Sequence, residues 1–424
     1  MRLVNFLIFY FCFYIISSAQ VDNVGSGRAI SLDGIDDRID ISKTYTSLNL
    51  PFSVSAWVFV DYSISASTPI FVTNDNDPTY RGFWFTVSPT SILCEFGDGA
   101  GASNPAFRRG KGATISSITG KWVNVCIVMI APFDIKIYLN GVDIGGFSTG
   151  ESNLGMKSPV SGDVGKIGYF LSNNVAYRGK SIIDEVRLWN RALSAQEVQR
   201  DMCRKLTGNE AGLVGYWDFN ETSGSTAFDK SPTAAHGQLI GNPTRVYSGA
   251  PIGDVSAFSY PAATTSLVDG NLKVEATDIS GAASGIQVYE IKSKPSQTGG
   301  LDLSKSNSPY FGVFLASVNG TGTYTAKGFV NNLPICNASF REDNSKPTWN
   351  NTILPQTAQP MRGEYVLADG TIASFDLGPD KILCDQPSFV LSTQLNDPAL
   401  TYLWNTGAST SSITVTQSGV YSVQ

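Results

Sequence analysis

The stretch Phe52-Ser-Val-Ser-Ala-Trp-Val-Phe-Val60 gives the strongest strand signal in this chain of 424 residues. Apolar and small polar residues alternate at its start, and the run then becomes apolar throughout. A period of two residues is typical of a β-strand, because successive side chains point to opposite faces. The stretch therefore predicts a β-strand over residues 52–60.

Similar strand patterns follow along the chain. The run Ile135-Lys-Ile-Tyr-Leu139 is followed by Asn140-Gly141 and then by Val142-Asp-Ile144. Asn-Gly supplies the positive φ angles of a type I′ turn, so this segment predicts a β-hairpin. Further strands are predicted at residues 122–130, 182–189 and 213–219. Many short strands at this spacing predict an all-β antiparallel two-sheet sandwich of the jelly-roll kind.

One helix is predicted among these strands. Ser194 and Glu197 have the spacing of a capping box, and Leu193 with Val198 can form a hydrophobic staple around it. Gly208 provides a stop signal. We expect this helix to cover the sandwich and to carry no chemistry.

The remaining sequence predicts two more segments after a first domain at residues 20–248. Residues 249–375 are β-like and rich in Gly, Ser, Thr and Asn, with strands expected at 285–291 and 310–315. Residues 376–424 predict a small, partial sandwich that contains Cys384 and Trp404. Because the chain stops in what should be a strand, we expect it to be a fragment of a longer protein.

Charge and composition exclude several classes of protein. The chain has 30 Lys and Arg, 36 Asp and Glu, a formal net charge of −6 and only 16% charged residues. Coiled coils and helical repeats need more charge and less Gly and aromatic residue. A nucleic-acid binder needs a basic excess. With His236 as the single histidine, a zinc site or a Ser-His-Asp triad is improbable.

The N-terminus has the pattern of a signal peptide. Arg2 precedes an apolar run over residues 3–16, and small residues follow up to an expected cleavage site after Ala19. The run is too short for a membrane span. We therefore expect a secreted or cell-surface protein without a membrane span. Export permits disulfide bonds, but the odd number of remaining cysteines leaves at least one thiol unpaired: Cys94, Cys126, Cys203, Cys336 and Cys384.

Six motifs in order give residues 20–248 a specific resemblance to the laminin G-like (concanavalin A-like) jelly-roll family. They are Ser31-Leu-Asp-Gly-Ile-Asp-Asp37, Phe52-Ser-Val-Ser-Ala-Trp57, Gly120-Lys-Trp122, Ile137-Tyr-Leu-Asn-Gly141, Ile183-Asp-Glu-Val-Arg-Leu-Trp-Asn-Arg-Ala-Leu-Ser194 and Gly212-Leu-Val-Gly-Tyr-Trp-Asp-Phe-Asn220. The resemblance implies two antiparallel sheets packed face to face, usually without catalysis, that often bind glycans or matrix proteins.

The end of the chain carries a second resemblance. Leu377-Gly-Pro-Asp380, Tyr402-Leu-Trp404 and Ser418-Gly-Val-Tyr421 make it similar to an immunoglobulin-like or PKD-like module of bacterial surface proteins. The second cysteine that is usual in such modules is absent, which fits a truncated module.

A calcium site is one candidate in the first domain. By period two, Asp184 shares a strand face with apolar Ile182 and Val186, where a carboxylate is costly unless it is paired, hydrogen-bonded or bound to metal. The acidic turn with Asp33 and Asp37 is expected nearby, and Ca²⁺ prefers carboxylate and carbonyl oxygens. Related jelly rolls commonly hold a structural Ca²⁺, so Asp33, Asp37 and Asp184 are predicted ligands. The alternative is that Asp184 accepts backbone N–H groups and that the turn is merely solvated.

A sugar-binding platform is the second candidate, because aromatic faces suit the C–H faces of sugar rings. Tyr80 and Trp84 are the main candidates, since they follow an Asp/Asn-rich loop at residues 74–77 that could itself bind Ca²⁺ or ligand. Trp57, Tyr169 and Tyr177 are further candidates. The alternative for all five is a place in the core or at its rim, and this alternative is strongest for Trp57.

No catalytic constellation is found. Glycosidases need paired carboxylates across the scissile bond. Asp184 and Glu185 are adjacent and are expected on opposite faces, and Asp218 and Glu221 are poorly placed. His236 is expected in a loop with a structural role.

The sequence thus predicts a secreted, noncatalytic binding or adhesion protein that recognises a glycan or matrix ligand. One alternative is the accessory carbohydrate-binding part of an extracellular glycoside hydrolase whose catalytic domain is missing. Another alternative is a purely structural surface protein.

Overall fold

A computed structural model describes residues 26–61, 67–73, 79–101, 105–160, 162–172, 175–301, 309–367, 377, 388–393 and 402–423. Almost all of the regular secondary structure in these residues is antiparallel β, which confirms the predicted fold class. The predicted signal peptide, the loop at 74–77 and Cys384 lie outside the described residues. The contacts of the chain form two compact units, Met1–Asp369 and Gly370–Gln424.

The first unit begins with a sandwich of two large sheets. Its strands are β1 (Arg28–Asp33), β2 (Arg38–Ile41), β3 (Phe52–Val60), β4 (Thr68–Val72), β5 (Phe83–Ser88), β6 (Ser91–Gly97), β7 (Arg108–Thr114), β8 (Trp122–Ala131), β9 (Asp134–Leu139), β10 (Val142–Asp143), β11 (Phe147–Gly150), β12 (Lys166–Ile167), β13 (Tyr169–Ser172), β14 (Val175–Arg178), β15 (Lys180–Trp189), β16 (Leu213–Trp217), β17 (Thr226–Ala227), β18 (Gly237–Ile240) and β19 (Thr244–Tyr247). A short 3-10 helix spans Pro105–Phe107.

These strands form an eight-stranded and a nine-stranded sheet. The eight-stranded sheet has the order β10-β9-β8-β3-β15-β1-β19, and β16 also pairs with β15. The nine-stranded sheet has the order β11-β7-β6-β5-β4-β12-β2-β18-β17, and β13 and β14 form a separate hairpin. Alternate residues such as Val54 and Phe85 bury their side chains between the two sheets in one apolar core. This arrangement is the predicted jelly-roll-type sandwich.

Two local predictions are confirmed in detail. Asn140 and Gly141 have φ angles of 51° and 78° and connect β9 to β10, as a type I′ turn requires. The helix α1 (Ala195–Met202) begins at the predicted capping box, in which the Ser194 hydroxyl accepts from the Glu197 backbone and Glu197 accepts from the Ser194 backbone. Val198 packs α1 on the outer face of the eight-stranded sheet.

A second sandwich completes the first unit. Its strands are β20 (Val255–Ser259), β21 (Thr265–Asp269), β22 (Leu272–Ser280), β23 (Gly285–Ile291), β24 (Tyr310–Ala316), β25 (Thr323–Val330), β26 (Leu333–Ile335), β27 (Asn337–Arg341), β28 (Asn350–Ile353), β29 (Gln356–Pro360) and β30 (Arg362–Leu367). One sheet has the order β20-β23-β24-β30-β27-β28, and the other is β21-β22-β25-β26 with β29 beside β25.

The second sandwich packs on the outer face of the eight-stranded sheet. Trp57 and Trp122 from the first sandwich share one buried apolar cluster with Tyr289 and Phe314 from the second. The Trp57 and Phe314 rings meet edge to face with their centroids 5.3 Å apart. The helix and the second sandwich together therefore cover much of this face.

The last unit is described by itself. Its strands β31 (Phe389–Ser392) and β32 (Ser412–Val415) form an antiparallel pair, and an isolated bridge joins Trp404 to Val423. The Trp404 ring is buried and donates to the carbonyl of Thr410. The immunoglobulin- or PKD-like nature of this unit stays a prediction, and so do the boundaries of the three predicted domains.

Four cysteines fall within the described residues. Cys94, Cys126 and Cys203 are buried free thiols, and Cys336 is an exposed free thiol. Burial raises the pKa of each of the three buried thiols. These three side chains therefore act as small apolar groups in the core rather than as reactive thiolates.

The second sandwich contains a carboxyl group with a raised pKa. Glu290 lies on β23 with 2% of its surface exposed. Burial raises its pKa to about 7, the neighbouring carboxylates of Asp269 and Asp254 add to the rise, and Lys292 opposes it. The folded protein thus holds this proton at pH values where an unfolded chain, with a glutamate pKa near ~4.3, releases it.

We therefore expect stability to fall as the pH rises from about 4.5 to 7 through this group, because the folded state binds more protons than the unfolded state there. Glu290→Gln removes the group and should flatten that part of the profile. Unfolding midpoints of both proteins across this window check the prediction. An unchanged slope in the variant would contradict it.

Candidate functional site

The outer face of the nine-stranded sheet carries charged and aromatic side chains. Along β5, Phe83 and Phe85 point into the core, so Trp84 points outward. Along β2, Ile39 and Ile41 are in the core, so Arg38 and Asp40 point outward. This face lies opposite the sheet that α1 and the second sandwich cover, and we take it as the candidate site.

A stack of aromatic rings leads from this face to the surface. Phe170 of the β13–β14 hairpin stacks on Trp84 at 5.5 Å with 13° between the ring planes. Tyr177 stacks on the other side of Phe170 at 5.6 Å and is 41% exposed. Tyr80 lies 5.4 Å from Trp84 at the inner end. Tyr177 is thus the ring of this stack that faces solvent.

The other tyrosine of the hairpin lies between two cations. The guanidinium groups of Arg38 and Arg178 are 5.3 and 5.4 Å from the centre of the Tyr169 ring. Asp40 pairs with Arg38 at 3.0 Å and with Lys166 at 3.8 Å. Charged groups that can hydrogen-bond to sugar hydroxyls thus surround Tyr169. The register of the hairpin pairs Tyr169 with Arg178 and Phe170 with Tyr177, so this charged group and the aromatic stack lie on opposite faces of the hairpin.

Buried polar groups fix the position of Trp84. Its indole N–H donates to Glu95 at 3.1 Å. Glu95 is 4% exposed and also lies 3.5 Å from the guanidinium of Arg108. The hydrogen bond to Glu95 therefore fixes the rotamer of Trp84, and Trp84 in turn positions the ring of Phe170 that stacks on it.

The predicted acidic turn borders the same region. The carboxylate oxygens of Asp33, Asp36 and Asp37 approach within 4.8 Å of one another. Arg178 donates to the carbonyl of Ile35 in this turn, which ties the turn to the hairpin.

Internal hydrogen bonds already use two of these carboxylates. Asp33 accepts from the backbone N–H of Ile35, which holds the pKa of Asp33 below its usual range. Asp37 accepts from the backbone N–H groups of Asp33 and Asn242. The donor set suits Ca²⁺, but the hydrogen bonds also account for the conformation of the turn. Calcium binding stays a prediction for this turn.

The predicted grouping of Asp184 with Asp33 and Asp37 is wrong. Strand β15 does pair with β1, but Asp33 lies opposite Lys180. Asp184 is four residues further along, roughly 13 Å at the rise of a β-strand. Asp184 is 1% exposed and accepts from the Ser248 hydroxyl at 2.5 Å and from the Glu185 backbone at 2.7 Å. Backbone and hydroxyl donors therefore satisfy it, close to the alternative that the sequence left open.

A β-bulge follows Asp184 in β15 and changes which residues share its face. Asp184 pairs with Trp57 and Arg187 with Ser55, so β15 has one extra residue, and Glu185 has a φ of 53°. Asp184 stays on the outer face with Ile182, whereas the bulge turns Val186 into the core. Because of the bulge, Asp184 and Glu185 do not lie on opposite faces of the sheet, as strict alternation predicted. Glu185 also faces outward, where it accepts from the Tyr216 hydroxyl. Burial raises the pKa of both carboxyls. The charge of Glu185 raises the pKa of Asp184 further, and the charge of Arg187 opposes the rise at Glu185.

The main aromatic candidates are placed below the surface. Tyr80 and Trp84 are 5% and 3% exposed, and Trp57 is fully buried beneath the second sandwich. Direct stacking of a ligand on Tyr80 or Trp84 stays a prediction. Sequence reasoning missed Phe170 and the two arginines beside Tyr169. Alternation in Arg38-Ile-Asp-Ile41 is a signal that could have placed Arg38 on this face.

The histidine and the remaining acidic candidates have structural contacts. The imidazole Nδ1 of His236 accepts from the Asp229 backbone, and the ring meets Phe228 edge to face. Glu221 accepts from the Phe228 backbone and pairs with Arg245. In the described part of the chain, no helix is both long and apolar enough to cross a membrane.

Three solved structures illustrate what this chain is similar to. A "putative carbohydrate binding protein" from Bacteroides ovatus is 17% identical with a TM-score of 0.40, and the alignment covers 55% of this chain and 62% of that one. A SAP-like pentraxin from Limulus polyphemus is 16% identical with a TM-score of 0.29, covering 41% and 81%. The CBM40 of a Ruminococcus gnavus IT-sialidase is 16% identical with a TM-score of 0.32, covering 41% and 97%.

The chain spans less than two thirds of the length of the Bacteroides ovatus protein. No curated protein matches the chain. A family profile does match, at residues 33–199, and this range includes β2 to β15, from both sheets of the first sandwich, and the start of α1. Residues 33–199 therefore form a domain of the concanavalin A-like lectin/glucanase superfamily.

Proposed function

We propose that this chain is an exported, noncatalytic binding protein that holds a glycan on the outer face of the nine-stranded sheet. The observation that carries the proposal is the aromatic stack that leads from Trp84 through Phe170 to the exposed ring of Tyr177. An exposed ring offers an apolar face to the C–H groups of a sugar. The guanidinium and carboxylate groups around Tyr169 of the same hairpin can bind hydroxyls.

The burial of the other sheet supports this choice of face. Trp57 and Trp122, which would be the large aromatic side chains of the opposite face, are 0% and 5% exposed because the second sandwich and α1 cover them. A ligand there would have to displace a packed apolar interface. The face with Tyr177 needs no such rearrangement.

Tyr177→Ala is expected to weaken binding to glycans about tenfold, because an exposed aromatic anchor commonly contributes more than ~1 kcal/mol to binding. Val175→Ala is the matched control, since Val175 is 55% exposed on the same hairpin and offers no ring. A glycan array probed with the wild type and both variants checks this. Hits that Tyr177→Ala retains at full strength, or an array without any wild-type hit, would contradict the proposal.

A further inference from the structure

A cleft of about 420 Å³ lies where the two sandwiches of the first unit meet. The turn before β8 forms one wall, and the turns after β24 and before β30 form the other. Apolar groups make up most of the lining, and they include Trp122, Phe314 and Phe340. A half-open cleft of this size, with apolar walls and a few polar groups, is typical of a site for a small organic molecule.

The charges around the cleft are unequally compensated. Arg362 pairs with Asp343 at 2.6 Å and with Glu342 at 3.1 Å, so its charge is neutralised. Lys121 also lines the cleft, and in the described residues its ammonium has no carboxylate within 4.0 Å. A Cβ built on Gly320, another lining residue, would be 2.5 Å from the Lys121 Nζ. The ammonium therefore lies at the cleft wall as an uncompensated positive charge.

We propose that this cleft binds a small amphiphilic organic anion. Its apolar body lies against Trp122 and Phe340, and its anionic head lies at the Nζ of Lys121. A bare sugar fits less well, because its many hydroxyls need more hydrogen-bonding partners than these largely apolar walls supply. The proposal is separate from the glycan surface: the two sites lie on different faces of the first sandwich, and neither needs the other.

The test uses anilinonaphthalene sulfonate, an aromatic anion whose fluorescence rises in apolar surroundings, with the full chain. Gln359→Trp places an indole at the cleft wall, since Gln359 is a half-buried lining residue. Thr357→Trp is the control, because it adds the same group at an exposed position of the same strand. We expect saturable binding by the wild type and the control, and about tenfold weaker binding by Gln359→Trp.

Lys121→Gln tests the head group. This variant should bind the sulfonate about threefold more weakly, as loss of an exposed ion pair predicts. It should bind uncharged N-phenylnaphthylamine as the wild type does. Three results would overturn the proposal: no saturable binding by the wild type, equal binding by Gln359→Trp and Thr357→Trp, or a Lys121→Gln variant that binds both probes with wild-type affinity.

Discussion

Replacing Arg341 with methionine is expected to lower the free energy of unfolding by about 3–5 kcal/mol, because it leaves a buried carboxylate without its partner. The Arg341 side chain is 0% exposed and lies 2.7 Å from Glu364, which is 1% exposed. The guanidinium also donates to Asn344 at 2.8 Å and lies 4.3 Å from the centre of the Trp349 ring.

The same network ties the second sandwich to the start of the first. The Ser26 hydroxyl donates to Glu364 at 2.9 Å, and the Asn344 amide donates to the carbonyl of Gly27 at 3.1 Å. Loss of Arg341 should therefore weaken both the interior of the second sandwich and its attachment to residues before β1.

Urea denaturation followed by tryptophan fluorescence measures the effect. The double variant Arg341→Met with Glu364→Leu should recover part of the loss, because an apolar pair can replace a buried ion pair at little cost. Lys346→Met is the surface control, since Lys346 and its partner Glu342 are each 51% exposed. It should change stability by less than about 1 kcal/mol. If Arg341→Met unfolds at the wild-type urea concentration, the network does not stabilise the fold.

Replacing Trp57 with alanine should lower the free energy of unfolding by about 3–5 kcal/mol and leave the ligand surface intact. The indole is fully buried, donates to the carbonyl of Met202 at 2.8 Å and packs against Phe314 of the second sandwich. The substitution leaves a cavity between the sandwiches and an unpaired carbonyl.

A comparison with Tyr177→Ala separates the two roles of aromatic residues. The Tyr177 variant should lose glycan binding and keep its unfolding midpoint, since its ring is 41% exposed. The Trp57 variant should unfold more easily, and below its unfolding temperature it should bind the array's strongest glycan as the wild type does. Loss of binding by folded Trp57→Ala would place the ligand at the junction of the sandwiches instead.

Local signals in the sequence predicted local structure well. The Asn140-Gly141 turn and the Ser194–Glu197 capping box depend on residues within a few positions of one another. Neighbouring residues in the sequence are therefore enough to predict them. The alternation in 52–60 depends on burial alone, and it predicted β3 with both of its ends.

The candidate site depended on features that a single sequence does not display. One extra residue at Glu185 moved Val186 to the face opposite Asp184, and strict alternation has no means of predicting a bulge. Trp57 is buried because a second sandwich packs on its face, and that packing depends on residues more than two hundred positions away, such as Phe314. The stacking of Phe170 on Trp84 likewise needs the hairpin to fold back over β5.

If the ligand binds at the outer face of the nine-stranded sheet, a glycan bound there should protect the backbone of that face. Amide hydrogen exchange of the full chain, with and without the array's strongest glycan, measures this protection. We expect slower exchange in the β13–β14 hairpin and in β2. Protection confined to α1, β3 and β8, with exchange in the hairpin unchanged, would contradict it.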